Sequence, residues 1–399
     1  MEFFLFRTGD QTLRDLYAFR TDGDREAYYR AARALISFAA RRARCGDVLR
    51  EYVVCALLDA PGAGDLIAAP ELSKPYLLQD VDRIFADFFA FDWEAHCRKC
   101  GVLPFPDRPG RERAQECPWE PLVQASSAPE LEEAIRAFFR RYHDRSEARY
   151  TAFRWEGGEL RGVRNAERMT FGQLAGLRHQ KEALLRNARA FLAGLPAHNV
   201  LLVGGSGTGK SSCVKATLTE FAAQGLRLVE LPKQCAGELP LLMEVLAPKK
   251  CRYIVYIDDL SFEEVDVGYK ELKVALDGQV EQRLGHVLIY VTSNRRHLIR
   301  ETWKDRDTEG EIHENDTLHE KKSLSERFGL HLYFSVLSQK EYFAVVELLL
   351  SLSGFAFTGE TAKAAAAWAL SYNGRSGRTA RQFVNDYIVR HSGEQPAED

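Results

Sequence analysis

The stretch from Gly204 to Ser211, which reads Gly-Gly-Ser-Gly-Thr-Gly-Lys-Ser, restricts the fold of the chain more than any other segment. It follows an apolar run at 199–203 that is typical of a strand, and it leads into residues 212–218, which are typical of a helix start. In such a loop, glycines let backbone N–H groups converge on phosphate oxygens where a side chain would be in the way. Strand, glycine-rich loop and helix in this order predict a phosphate-binding loop rather than a chance glycine-rich turn.

The same motif predicts how a nucleotide and its metal ion are held. Lys210 is expected to reach the β- and γ-phosphates, and the hydroxyl of Ser211 is expected to ligate Mg²⁺. We therefore expect the chain to bind a nucleotide together with Mg²⁺. The residues predicted to surround the phosphates are Gly204, Gly205, Ser206, Gly207, Thr208, Gly209, Lys210, Ser211 and Ser212.

Length and composition are those of a globular protein with more than one domain. The 399 residues exceed an ordinary domain, and 45% of them are apolar and 28% charged. The net charge of −3 gives no overall basic footprint for nucleic acid, although local basic patches stay open. The eight cysteines are too sparse for a disulfide scaffold, and no apolar run approaches the roughly 20 residues of a membrane span. We expect a cytoplasmic protein with reduced thiols and no membrane segment.

Residues 1–165 carry helical patterns and no catalytic motif, which predicts a mainly helical N-terminal domain that binds a partner or regulates the chain. Apolar residues recur at helical spacing between residues 24 and 44. The one metal-like spacing here is Cys97-Arg-Lys-Cys100, beside His96 and followed later by Cys117. Because a structural zinc site usually contains two such pairs, the spacing favours reduced thiols and leaves zinc as the alternative.

From residue 166 the pattern changes to alternating strands and helices. Five short apolar runs separated by helical stretches predict an α/β core with a five-stranded parallel sheet flanked by helices. After residue 338 the alternation stops, and three helical patterns predict a C-terminal helical lid. The predicted strands are 199–203, 227–231, 253–257, 287–292 and 331–335. The predicted domains are the helical domain at 1–165, the nucleotide-binding core at 166–337, the lid at 338–391 and a flexible tail at 392–399.

Polar side chains follow the third and fourth of these strands. The run at 253–257 ends in Asp258 and Asp259, and the run at 287–292 is followed by Asn294. Because parallel strands present their carboxyl ends to the ligand crevice, Asp258 suits the Mg²⁺ shell and Asp259 suits orienting or deprotonating an attacking water. Asn294 can hydrogen-bond the γ-phosphate or the attacking water, provided that its strand lies between the phosphate-loop strand and the Asp258 strand. The alternative is that Asn294 only forms a turn.

Arginines near the end of the chain are further candidates. Arg327 precedes the fifth strand, where it either stabilises the γ-phosphate bound to a neighbouring subunit or forms an ordinary surface ion pair. Arg378 and Arg381 open the last helical pattern, from which one of them can reach the nucleotide.

The order of these motifs along residues 170–391 resembles that of the AAA+ ATPase superfamily. Three stretches, at 257–263, 292–298 and 322–330, are similar to the bacterial domain-of-unknown-function family 815 of predicted AAA+ ATPases. The resemblance implies a P-loop NTPase fold of the AAA+ type with ATP as the bound nucleotide. It further implies that residues 176–181 contact the adenine.

For single residues, the resemblance implies that Asn294 is the first sensor residue, Arg327 the arginine finger and Arg381 the second sensor residue. One position departs from the AAA+ pattern, because the second acidic residue is usually glutamate and here it is Asp259. The shorter side chain is expected to hold water less well, which predicts slow turnover unless Glu263 or Glu264 compensates.

We therefore predict an ATPase that hydrolyses Mg-ATP to drive a conformational change on an unknown protein or nucleic-acid partner, and that forms a homo-oligomer when ATP is bound. Two alternatives stay open. One is a nucleotide-gated loader or switch that binds ATP and DNA or protein with little turnover. The other is a P-loop kinase that phosphorylates a small molecule. Two features disfavour this alternative, namely the paired Asp258 and Asp259 and the arginines near the end of the chain.

Overall fold

A computed structural model describes residues 5–6, 9–41, 47–67, 70–105, 117–260, 284–294, 327–372 and 374–391. The predicted tail at 392–399, together with Glu263 and Glu264, lies outside these residues. Contacts between Cα atoms divide the chain into two units. The first contains Met1–Arg149 with Pro248–Lys250, and the second contains Tyr150–Ala247 with Cys251–Asp399.

The first unit is built from α-helices in its described part, as the sequence predicts. Helix starts follow local capping; for example, the Ser127 hydroxyl accepts the N–H of Glu130 at the start of the helix that buries Leu131, Ile135 and Phe138. The helices are α1 Gln11–Asp22, α2 Arg25–Arg41, α3 Val48–Leu58, α4 Ala63–Ile67, α5 Pro70–Ile84, α6 Trp93–Lys99, α7 Glu120–Val123, α8 Ala128–Arg141 and α9 Arg145–Arg149. A π-helical turn, Phe85–Phe89, continues α5.

The second unit is organised around one mixed sheet. Its strands are β1 Ala152–Glu156, β2 Glu159–Gly162, β3 Val200–Gly204, β4 Leu226–Glu230, β5 Arg252–Ile257, β6 Val287–Ser293 and β7 Leu330–Phe334. The strand order across the sheet is β2-β1-β4-β5-β6-β3-β7, and every pair is parallel except β1 with β2. The central strands are buried along almost their whole length, which explains why they appear in the sequence as continuous apolar runs.

The sheet has seven strands, so the prediction of five was wrong in number. The five predicted strands are present, and the two additional ones form a hairpin from residues that precede the predicted core. Gly157 and Gly158 both have positive φ, at 60° and 79°, which is the backbone that a two-residue hairpin turn requires. The first strand of this hairpin pairs in parallel with β4 and extends the sheet.

Helices cover the sheet, and three further helices follow its last strand. They are α10 Arg178–Leu192, α11 Lys210–Phe221 and α12 Leu239–Leu246, then α13 Gln339–Ser351, α14 Gly359–Ser371 and α15 Gly377–His391. Helix α13 begins at a capping box, in which Ser338 and Glu341 each accept the backbone N–H of the other. The last three helices share a core of their own around Tyr342, Val346 and Phe383, as the predicted lid requires.

The strand order determines where the functional edge of the sheet lies. Strand β6 lies between β3 and β5, which is the condition stated above for Asn294 to hydrogen-bond the γ-phosphate or the attacking water. Val203 at the end of β3 is level with Ser293 of β6, and Val291 is level with Ile257 at the end of β5. The three strands therefore end at the same edge. In the described residues, the structure has no helix both long and apolar enough to cross a membrane.

The hairpin strand yields a stability prediction, because Trp155 of β1 is fully buried and its indole N–H donates to Glu238 Oε2 at 2.6 Å. Trp155→Ala should lower the free energy of unfolding by about 3–5 kcal/mol, the usual cost of a large aromatic removed from a core. The matched surface variant is Arg161→Ala on β2, which loses only ion pairs with Glu156 and Glu159. Its effect should be within about 1 kcal/mol. Equal urea midpoints for the two variants would mean that β1 does not belong to the core.

Candidate nucleotide-binding site

The glycine-rich loop joins β3 to α11 with two residues in the left-handed region of backbone conformation. Gly207 has φ 74° and Gly209 has φ 100°, values that strain any residue with a Cβ atom. The loop closes on itself through the Thr208 hydroxyl, which donates to the carbonyl of Gly205 at 2.8 Å. Helix α11 then begins at Lys210, so its unpaired N–H groups open into the loop. This is the backbone arrangement that favours a bound phosphate.

Lys210 is buried, and its ammonium group contacts the loop that carries it. Its Nζ donates to the carbonyls of Gly204 at 2.6 Å and Gly205 at 2.8 Å, and to Asn294 Oδ1 at 2.9 Å. Burial lowers the pKa of this amine, while the charges of Asp259 and Asp258 act in the opposite direction. The ammonium therefore lies among the backbone of the loop and the end of β6.

Asp258 follows β5 and accepts three hydrogen bonds on one oxygen. Its Oδ1 accepts from Ser211 Oγ at 2.9 Å, from the Tyr256 hydroxyl at 2.6 Å and from Thr292 Oγ1 at 2.6 Å. Burial raises the pKa of this carboxyl, but the hydrogen bonds from Thr292, Tyr256 and Ser211 outweigh it and hold the pKa below its usual value. The carboxylate is thus ionised and lies next to Ser211, the other predicted metal ligand.

Asp259 has a left-handed backbone, with φ 51°, which is uncommon for a residue other than glycine. Its N–H donates to Thr292 Oγ1 at 2.8 Å, and its carboxylate accepts a short hydrogen bond from Asn294 Nδ2. Asn294 thereby contacts both Lys210 and Asp259 through its two amide atoms. The structure therefore brings Lys210, Ser211, Asp258, Asp259 and Asn294 together in one network.

A cavity of about 410 Å³ opens beside this network within the second unit. One wall comes from the segment before α10, which Lys181 fixes by donating to the carbonyls of Phe171 and Leu174. The opposite wall comes from α13 and α15, and the floor is the phosphate loop. The lining residues are Gln173, Leu174, Ala175, Leu177, Gly207, Thr208, Gly209, Lys210, Ser211, Ser212, Leu337, Val345, Leu349, Gly377, Arg378, Arg381, Gln382 and Asn385.

The last helix touches the phosphate loop directly. The N–H of Gly377 donates to the carbonyl of Gly207 at 2.9 Å. Arg378 and Arg381 both line the cavity, and Arg381 forms an ion pair with Glu167 at 3.8 Å. Glu167 in turn accepts from Lys215 of α11 at 2.7 Å. Arg378 and Arg381 therefore both lie on the cavity wall, and the prediction that Arg381 reaches the nucleotide stays a prediction.

Arg327 does not share this edge of the sheet. It is half-buried and precedes β7, whose first N–H, that of Leu330, donates to the carbonyl of Asn199 just before β3. Because β3 and β7 are parallel, Arg327 lies at the amino edge, and the phosphate loop lies at the carboxyl edge. Five strand residues at about 3.3 Å each separate the two edges by roughly 16 Å.

Sequence analysis missed three contributors to the site. Tyr256 and Thr292 lie inside strands, two residues before Asp258 and Asn294, so each shares a strand face with the polar residue that follows. That alternation is a signal present in the sequence. Gly377 is the third, and its contact with Gly207 arises only from tertiary packing.

The Cys97–Cys100 pair lies at the end of α6 in the first unit. Cys97 is buried, and burial raises the pKa of its thiol. Cys100 Sγ lies 3.7 Å from His96 Nε2, which also hydrogen-bonds the carbonyl of Phe19 at 2.9 Å. Across the described ranges, no three His, Cys, Asp or Glu side chains converge as a metal site needs.

Comparison with known proteins gives one family and a distant structural likeness. The sequence profile of a family described as "Protein of unknown function (DUF815)" matches residues 148–391. A comparison with curated proteins found no match.

Among solved structures, the chain is similar to RuvB, the Holliday junction branch migration motor of Thermotoga maritima, at 15% identity and a TM-score of 0.39. The alignment covers 57% of this chain and 67% of that chain. A single-residue variant of the same protein aligns over the same shares, at 15% identity and a TM-score of 0.41. Likenesses this distant support no functional inference.

The contact between the loop and the last helix can be tested with two glycine variants. A Cβ atom at Gly207 would lie 2.9 Å from Ser376 Oγ and 3.0 Å from Ser376 Cβ, on a backbone with φ 74°. Gly207→Ala should therefore destabilise the nucleotide-free protein by about 1–3 kcal/mol. In the matched control, Gly205→Ala, the new Cβ would meet only Thr208 Cγ2 at 3.8 Å. Nucleotide-free melting should separate the variants, and a Gly207→Ala protein as stable as Gly205→Ala would refute the contact.

Proposed function

We propose that this chain, which belongs to the DUF815 family and has a mostly parallel sheet beside a glycine-rich loop, is an ATPase of the AAA+ type that binds Mg-ATP and hydrolyses it. The observation that supports this most directly is the convergence of five polar side chains at the carboxyl edge of the sheet. Lys210, Ser211, Asp258, Asp259 and Asn294 are joined by hydrogen bonds across three neighbouring strands and α11. A phosphate-binding lysine, oxygen ligands for a metal ion and a group that positions water are recurring parts of sites that hydrolyse a γ-phosphate.

The proposed roles follow from the chemistry of each group. Lys210 binds the β- and γ-phosphates, whose oxygens replace the loop carbonyls that its ammonium contacts now. Ser211 and Asp258 supply hydroxyl and carboxylate oxygens, the hard donors that Mg²⁺ prefers, and so fit that ion. When bound, Mg²⁺ neutralises charge on the phosphate oxygens. Asp259 positions the attacking water, and Asn294, which already contacts Lys210 and Asp259, hydrogen-bonds the γ-phosphate.

The cavity offers a place for the rest of the nucleotide. Its apolar wall, at Leu174, Ala175 and Leu177, suits the face of a base, and it adjoins the phosphate loop. Arg381 reaches the phosphates from α15 after exchanging its ion pair with Glu167. We assign adenine to this wall. We further propose that the first unit binds a protein or nucleic-acid partner in the cytoplasm, and that ATP hydrolysis drives a conformational change on that partner.

A second function is favoured by Asp259. Its carboxylate is shorter than a glutamate, and Asn294 already occupies one of its oxygens. Both features favour slow turnover, as in a switch that binds ATP to grip a partner and hydrolyses it rarely. A steady-state rate that stays low with DNA and at every protein concentration, together with tight ATP binding, identifies the switch.

Two variants separate binding from hydrolysis. Lys210→Ala should abolish the thermal stabilisation by Mg-ATP, which for the parent is about 2.7 kcal/mol at a hundredfold excess over Kd. Asp259→Asn should keep that stabilisation and lose hydrolysis, because the amide cannot deprotonate or orient water as a carboxylate does. Differential scanning fluorimetry and phosphate release measure the two properties. An unchanged melting shift in Lys210→Ala, or parent-rate hydrolysis by Asp259→Asn, would contradict the assignment of that residue.

Arg327 supports an assembly rather than a lone subunit. Its place at the amino edge of the sheet, with the phosphate loop of its own chain at the carboxyl edge, puts the γ-phosphate of its own site out of reach. An arginine that acts in catalysis from this edge acts on a neighbour, where its planar, permanently charged group stabilises the transition state. We therefore propose a homo-oligomer in which each subunit supplies Arg327 to the next.

Mixing two inactive variants tests this arrangement. Arg327→Ala should bind ATP yet lose hydrolysis by about 10³-fold or more, the range for an arginine supplied in trans. Adding Lys210→Ala should restore part of the rate, because that subunit lends its intact Arg327 to the intact phosphate loop of the other variant. The specific activity of the parent should rise with protein concentration. No rescue, with a rate independent of concentration, would show that Arg327 is structural.

A further inference from the structure

One carboxylate oxygen of Asp258 accepts hydrogen bonds from three side chains. Ser211, Tyr256 and Thr292 all donate to Oδ1, and none of the hydrogen bonds within the described residues reaches Oδ2. A carboxylate oxygen has about two lone-pair sites, so three donors fill Oδ1. The oxygen left for the hydration shell of a metal ion is Oδ2.

Tyr256 is the unexpected member of this group. Its side chain is 3% exposed and packs in the main core of the second unit, with only the hydroxyl at the site. The hydroxyl lies 2.6 Å from Asp258 Oδ1 and donates a hydrogen bond to that carboxylate oxygen.

The three donors differ in what a bound metal ion would require of them. Ser211 is itself a predicted ligand, so its oxygen must turn a lone pair toward the ion. The Thr292 hydroxyl also accepts a hydrogen bond from the backbone N–H of Asp259, the residue after Asp258. The Tyr256 hydroxyl donates to Asp258 from within β5, whose residues are buried from Tyr253 to Ile257.

We propose that Tyr256 is a positioning residue for the Mg²⁺ site, which holds Asp258 by Oδ1, together with Thr292, so that Oδ2 faces the metal shell. The inference rests on the proposed function, because it assumes the Mg²⁺ site. Groups that orient a metal ligand without touching the metal typically contribute 10- to 100-fold to metal affinity. Loss of the Tyr256 hydroxyl should therefore weaken the metal ion and leave metal-free nucleotide binding unchanged.

The test compares Tyr256→Phe with Tyr290→Phe. Tyr290 is a fully buried tyrosine of the neighbouring strand, in the same core, and its hydroxyl accepts from Asn187 rather than contacting Asp258. Each variant is titrated with Mg²⁺ in the presence of a non-hydrolysable ATP analogue, and with Mn²⁺ while free Mn²⁺ is followed by electron paramagnetic resonance. Tyr256→Phe should need about tenfold more of either ion for half-saturation. Tyr290→Phe should match the parent.

Binding of the analogue in EDTA shows whether each variant is folded and competent. If Tyr256→Phe does not fold, Thr292→Val and Thr292→Ser serve in its place, and only the valine, which lacks the hydroxyl, should lose metal affinity. If a folded Tyr256→Phe or Thr292→Val variant reaches half-saturation at the same metal concentration as the parent, the inference about Asp258 positioning is overturned and the proposed function is not. A parent protein that binds the analogue equally with Mg²⁺ and with EDTA would instead overturn the Mg²⁺ site of the proposed function.

Discussion

The parallel register of β3, β6 and β5 is the constraint on which the site depends. Val203 pairs with Ser293, and Val291 pairs with Ile257, so the three strands end within about two residues of one another at one edge. Asn294 and Asp258 therefore follow neighbouring strands at this edge, where Lys210 and Ser211 at the start of α11 hydrogen-bond to them. A slip of one residue in any of the three strands would turn its side chains to the opposite face and separate these groups.

Charge at this edge is partly compensated before any ligand arrives. The buried ammonium of Lys210 lies near the carboxylates of Asp258 and Asp259, and the Thr292 hydroxyl and the Asn294 amide donate hydrogen bonds to the carboxylate oxygens. Burial of Lys210 is tolerated because three acceptors surround its Nζ.

Much of this arrangement could be predicted because its signals are local. A glycine-rich loop between a strand and a helix, and carboxylates at the end of an apolar strand, occupy short stretches of sequence. The hairpin of β1 and β2 is absent from the prediction although Gly157-Gly158 is a turn signal, because both strands fall within residues 1–165, for which a mainly helical domain is predicted. The hydrogen bond of Tyr256 to Asp258 is not predicted, because an aromatic residue in a buried strand first indicates packing in the core. The approach of Gly377 to Gly207 could not be predicted, because residues so distant in sequence meet only through the packing of whole helices.

The hydrogen bond from Gly377 to Gly207 ties the position of α15 to the backbone that surrounds the phosphates. Any tilt of that helix changes the loop, and any phosphate that reshapes the loop changes the helix. Such coupling is reciprocal in free energy: a partner that favours one orientation of α15 changes nucleotide affinity by some factor, and the nucleotide changes the affinity for that partner by the same factor. A partner that binds α15 can therefore change the affinity for the nucleotide, and the nucleotide can change the affinity for that partner, without the partner entering the cavity.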